Sequence, residues 1–137
     1  MNEIKIALHI QLVSIAAEAG LDGLITTDHN ILVQGLEGYY GEGNNKTLLL
    51  VGEEVHDRNL KPPGNHLLAF GAGREMSPYA ADPQRLIDQI NRNNGLSFLA
   101  HPDENALERF GEGKYPWRRW DVEGFTGIEL WNQMSEF

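Results

Sequence analysis

Four apolar runs in this chain each stop at a histidine or a carboxylate, and this punctuation constrains the fold more than any other feature. Residues 4–8 run into His9, residues 21–27 into Asp28-His29, residues 47–51 into Gly52-Glu53-Glu54, and residues 96–100 into His101-Pro102. Short continuous apolar runs between turn residues read as buried strands. In parallel α/β folds the C-terminal strand ends converge on one rim, where ligands bind. His66 precedes its own apolar run at 66–70, so it reaches that rim only if the strand is antiparallel or the preceding turn curls over. For any one of these residues a solvated or capping role is the commoner outcome, and Asp28 reads equally as a cap of the next segment. Four coincident strand ends are harder to dismiss. Imidazoles and carboxylates without thiolates suit Zn²⁺, Mn²⁺ or Fe²⁺.

The intervening segments carry helix and turn signals. Residues 12–19 read as a helix stopped by Gly20. Gly35, Gly38, Gly41 and Gly43 with Asn44-Asn45 mark residues 31–46 as loop, and Lys61-Pro62-Pro63-Gly64-Asn65 as a turn. Asp82 is a good N-cap, Pro83 suits the first helical position, Leu86, Ile87 and Ile90 share a face, and Gly95 ends the helix. Residues 102–123 read as a long polar loop or irregular helix holding Trp117 and Trp120, and residues 127–131 as a last strand. Strand–helix alternation with continuous apolar strands predicts one α/β domain with a mostly parallel sheet. No repeat or low-complexity tract interrupts it.

Composition sets the limits. The 137 residues are 41% apolar and 23% charged, as in ordinary globular domains, which excludes wholesale disorder. No apolar run is long enough to span a bilayer. Cysteine is absent, so disulfides, thiolate zinc sites and Cys nucleophiles are excluded. Lys and Arg number 11 against 20 Asp and Glu, a net charge of −9 that repels membranes and duplex DNA unless bound cations invert the local field. Ala17-Glu18-Ala19 mimics a signal cleavage site, but His9 and Gln11 interrupt the apolar stretch and Glu3 spoils a basic start, so a cytoplasmic protein is expected.

Taken in order, Gly20-Leu21-Asp22-Gly23-Leu24-Ile25-Thr26-Thr27-Asp28-His29-Asn30, Gly52-Glu53-Glu54-Val55, His66-Leu67-Leu68-Ala69-Phe70-Gly71, Leu99-Ala100-His101-Pro102 and Gly127-Ile128-Glu129-Leu130 resemble the PHP (polymerase and histidinol phosphatase) family of metal-dependent phosphoesterases. The resemblance implies a distorted β/α barrel, TIM-like, with two or three divalent ions (Zn, Mn or Fe) at the C-terminal strand ends. It implies His9, His29, Glu54, His66 and His101 as metal ligands, Glu54 bridging. Asp28 would orient His29, and Asp28, His29 and Glu54 would carry the catalysis. Glu129 lies in a family motif without an assigned role.

The sequence also departs from the family pattern. Gln11 stands where the family has a second His, and the loop that usually follows is missing. The family's closing Asp-x-His motif would lie beyond Phe137, and a full β/α barrel takes about 250 residues. An incomplete barrel over residues 1–137 is therefore expected. The implied activity is hydrolysis of phosphomonoesters, nucleotides or oligonucleotides by metal-activated water, with a small phosphorylated substrate or short nucleic acid as partner, and neither membrane nor stable duplex DNA. The alternatives are a non-catalytic metal-binding or interaction module derived from a PHP domain, and a different α/β metallohydrolase. Arg118 and Arg119, beside Trp117 and Trp120, are candidate phosphate and base contacts, against a packed surface loop. His56 reads as a loop His able to approach the site, and Tyr39-Tyr40 as a lid or as loop packing.

Overall fold

A computed structural model describes residues 3–103, 106 and 113–132 of the chain. Among them two helices and six strands form an open, mixed sheet rather than the expected β/α barrel. In chain order the elements are α1 (Glu3–Glu18), β1 (Gly23–His29), β2 (Gly38–Glu42), β3 (Asn45–Val55), β4 (Leu67–Phe70), a 3-10 turn (Ser77–Tyr79), α2 (Pro83–Arg92), β5 (Leu96–Leu99) and β6 (Gly127–Ile128). The strand order is β1-β3-β4-β5-β6, with β2 paired to the first half of β3. Only β1–β3 and β5–β6 are parallel, and β2–β3, β3–β4 and β4–β5 are antiparallel. The mostly parallel sheet is thus corrected as well. Apolar residues on both faces of a strand suggest cover on both sides, but here one face lies open. Ile25, Leu50 and Leu96 are exposed large apolar residues on that face.

The first apolar run is helix, not strand. Residues 4–8 continue without a break into residues 12–18 as α1. A run of five residues, four of them apolar, suits either element, and the helical period decides between them. Lys5, His9, Val13 and Ala17 recur every fourth residue, which places them on one face of a helix. His9, Val13, Ala16 and Ala17 are buried. The Gly-rich stretch holds a hairpin instead of only loop, because β2 returns on residues 45–49 of β3.

β3 is the spine. Its odd positions Leu49, Val51, Glu53 and Val55 are buried on one face, beside Thr26, Leu67, Ala69, Ser97 and Leu99. The Leu49 end packs with Val13, Val33 and Leu36, and the Val55 end with Leu86, Ile87, Ile90, Trp117 and Val122. Both helices therefore cover the same face. α2 begins as the sequence predicts, with the Asp82 side chain accepting from the Arg85 N–H at 3.3 Å. It ends at Arg92; just beyond, Asn94 takes a φ of +56° and the Gly95 N–H donates to the Ile90 carbonyl at 2.9 Å. On the opposite face Phe70 lies across Gly52, where an added Cβ would come within 2.5 Å of its ring. Among the described residues no helix is long and apolar enough to cross a membrane.

Candidate metal centre

The polar residues collect at one end of the open face. β1 and β3 run in register, Asp28 beside Glu53 and His29 beside Glu54. Side chains alternate along a strand, so Asp28 and Glu53 share the covered face while His29 and Glu54 share the open one. β4 is antiparallel to both β3 and β5. Its first end therefore lies at the last ends of its neighbours, which brings His66 to the rim despite its place before the strand. His66 stays tied there by its carbonyl, which accepts from the Ala100 N–H at 3.0 Å. His101 follows directly.

Glu54 Oε1 is the focus of the cluster. It lies 2.8 Å from His66 Nδ1, 3.3 Å from His101 Nε2 and 3.7 Å from His29 Nδ1. Burial pushes the Glu54 carboxyl up, but hydrogen bonds from His101 and His66 and the charge of His29 outweigh it and hold it far below its ordinary 4.5. The carboxylate is thus ionised and ready to bind a cation. Among the described residues two groups have ligand atoms within 4.8 Å of one another: Glu54 with His66 and His101, and His29 with His56 and His66. Nitrogen and oxygen donors without sulfur fit a divalent cation of the Zn²⁺ or Mn²⁺ type.

His101 takes a φ of +30°, where a side-chain-bearing residue is rare. Its N–H donates to Glu129 Oε2 at 2.6 Å, which holds the strained turn in place. Glu129 thereby acquires a role that its sequence motif did not assign. Backbone strain of this kind clusters at functional sites.

Of the five expected metal ligands, His29, Glu54, His66 and His101 come together and His9 does not. His9 Nε2 meets Asp28 Oδ2 at 2.7 Å under α1, and Lys5 Nζ takes Asp28 Oδ1. Asp28 is therefore occupied on the covered face and does not orient His29. Glu53 is structural: both its oxygens accept backbone N–H groups, from Met76 at 2.7 Å and Ser77 at 3.0 Å. Arg118 donates to the carbonyls of Pro62 at 2.8 Å and Pro63 at 3.1 Å, while its own N–H donates to Asn65 Oδ1 at 2.7 Å. Arg119 forks onto Asp121 at 2.8 and 3.0 Å. Neither arginine makes a hydrogen bond to the histidine cluster. Trp117 is buried in the core and Trp120 is exposed, so the expected aromatic pair is split.

The residue that sequence reasoning undervalued is His56. β3 runs to Val55, four residues past its predicted end, because β4 pairs with its last residues. Residues 54 and 56 then lie on one face, a period-two relation available from the sequence once the strand is extended. His56 stacks on His66 with centroids 4.4 Å apart and meets His29 edge-on at 5.1 Å. Its N–H donates to Asn30 Oδ1 at 2.9 Å. Burial, with the neighbouring charges of His66 and His29, lowers His56 to about 4, so the imidazole is neutral and able to ligate at neutral pH. Tyr115 tilts over His66 at 5.4 Å. Comparison with family models, with curated proteins and with solved structures finds no match to this chain.

Proposed function

We propose that this protein is a divalent-metal-dependent phosphoester hydrolase. One observation carries the reading: a half-buried carboxylate on which three imidazoles from three different strand ends converge. The order of motifs, resembling the PHP family, supports phosphoester chemistry in particular. Glu54, His66 and His101 would seat one cation. Among the described residues both candidate ligand groups fall in this one cluster, so one ion is proposed here in place of the expected two or three. When bound, a divalent ion supplies Lewis-acid chemistry, polarising a phosphoryl oxygen and acidifying water. Glu54 contributes the negative charge that holds the cation. His66 and His101 fix its position, and Glu129 and the Arg118-clamped turn hold the backbone at and before those two residues. Small phosphomonoesters, nucleotides and short oligonucleotides are the proposed substrates, and the cytoplasm the proposed setting.

A non-catalytic metal-binding module is the second reading, favoured by one observation. Arg118 and Arg119 are engaged elsewhere, so neither expected phosphate grip joins the cluster. Turnover separates the two. A panel of phosphomonoesters and short oligonucleotides is assayed with and without Mn²⁺. The hydrolase reading expects metal-dependent turnover that falls about 100-fold in His101→Ala, or about 2.7 kcal/mol of lost transition-state stabilisation. Glu54→Ala should lose Mn²⁺ binding as well. Mn²⁺ binding without turnover on any substrate leaves the module reading standing and ends the hydrolase one.

A further inference from the structure

We propose that His29, His56 and His66 form a second seat for the divalent ion, overlapping the Glu54–His66–His101 seat at His66, and that the cluster holds one ion at a time, in one seat or the other. This rests on the reading that the cluster binds a divalent cation. The two groups share His66 and each brings its ligand atoms within 4.8 Å. His66 is 6% exposed and held on both sides, by Glu54 at 2.8 Å and by the stacked His56 ring at 4.4 Å.

One nitrogen of the His56 ring is not committed elsewhere. The residue is anchored through its backbone N–H on Asn30. Its Nδ1 is buried with no hydrogen-bond partner, while its Nε2 hydrogen-bonds Asn30 Nδ2 at 3.3 Å, a bond given up when Nδ1 ligates and the ring proton moves to Nε2. A buried ring nitrogen without a partner is costly, and such exceptions call for an explanation. Together with the stacking on His66, this points to a ligand.

Sharing decides the stoichiometry. A neutral imidazole has one lone pair, since its other nitrogen carries the proton. His66 therefore serves one ion at a time, and two simultaneous ions would require its deprotonation to imidazolate. The two seats also differ in chemistry. The Glu54 seat offers a carboxylate oxygen and two nitrogens, a set that accommodates Mn²⁺. The other seat offers three imidazoles, which favour Zn²⁺ over Mn²⁺. The identity of the metal then selects the seat. Zn²⁺ in the imidazole seat would be held by the three rings, whereas Mn²⁺ would be held in part by the Glu54 carboxylate.

Titration calorimetry of the metal-free chain with MnCl₂ and with ZnCl₂ tests this, with circular dichroism confirming that each variant is folded. The expected stoichiometry is one ion per chain for either metal. His101→Ala should weaken Mn²⁺ at least about 30-fold but Zn²⁺ less than about 5-fold, because the imidazole seat survives. His56→Ala should leave Mn²⁺ within about 3-fold and weaken Zn²⁺ about 10-fold, because Zn²⁺ falls back on the Glu54 seat. The double variant should lose both, a non-additive result diagnostic of alternative seats. His56→Gln serves as the second variant should His56→Ala not fold. Two Zn²⁺ per chain overturns the proposal, as does Zn²⁺ affinity unchanged by either His56 substitution in both backgrounds. If the native chain binds neither metal, the hydrolase reading falls with it. If the native chain binds Mn²⁺ and loses it in His101→Ala while the His56 variants change nothing, only the second seat falls.

Discussion

At the residue scale, the alternation of a strand separates Asp28 from His29. Adjacent in sequence, they serve opposite faces: Asp28 meets His9 and Lys5 beneath α1, and His29 meets Glu54 at the open rim. Burial pushes the Asp28 carboxyl up, but the Lys5 hydrogen bond and charge, with those of His9, outweigh it and hold the group below its ordinary 3.8. A carboxyl lowered by folding binds fewer protons in the native state than in the unfolded one. Its contribution is present above the unfolded value and is lost as pH falls through the folded one. Asp28→Asn should therefore cost about 2 kcal/mol at pH 7, as expected for charged hydrogen bonds lost from a partly buried site. Urea unfolding of both proteins across pH 2–7 reads this. The two stability curves should converge at the acid end, and parallel curves would show that the Asp28 charge contributes nothing.

At the element scale, β4 is short, four residues, yet it delivers His66 to the rim. Its entry is set by the turn at residues 61–65, where Arg118 reaches the carbonyls of Pro62 and Pro63 and its N–H bonds Asn65. This assigns Arg118 to positioning rather than to the phosphate. Arg118→Ala should lower stability by about 1–2 kcal/mol, the scale of lost charged hydrogen bonds at an exposed site. It should also weaken metal binding about 3–10-fold through a looser His66. Arg119→Ala is the matched control, because its partner Asp121 lies two residues away and far less depends on it. A raised KM in Arg118→Ala with unchanged metal affinity would instead identify a substrate contact.

At the scale of the whole molecule, the sheet is covered on one face only. Leu49 and Leu50 are neighbours on β3, but Leu49 is fully buried and Leu50 is 43% exposed. Emptying a packed core position costs a transfer term plus a cavity, about 2–5 kcal/mol for Leu→Ala. On an open face neither cost arises in full. Leu49→Ala should therefore destabilise by about 3 kcal/mol and Leu50→Ala by less than about 1 kcal/mol in chemical denaturation. Similar losses at both positions would mean that the open face is packed in solution. α1 repeats the pattern: Ile4, Leu8, Ile10, Leu12 and Ile15 are exposed, while Val13, Ala16 and Ala17 pack inward.

Local rules were enough for much of this. Asp82-Pro83 and the Leu86–Ile87–Ile90 face specify α2, because capping and helical period act within a few residues. The apolar runs at residues 21–27, 47–51 and 96–100 do hold strands, β1 from Gly23, β3 throughout and β5 to Leu99, and the histidines and Glu54 that follow them do meet. What the sequence left open turns on pairing partners. Residues 4–8 fit strand or helix equally, and His9 left the rim when α1 formed. The end of β3 depends on β4, so His56 entered the cluster only once those strands paired. His66 belongs at the rim because β4 runs antiparallel, and the sheet stays open because both helices pack on one face. Strand direction and face coverage are set by contacts between residues far apart in the chain, and no local pattern of side chains encodes them.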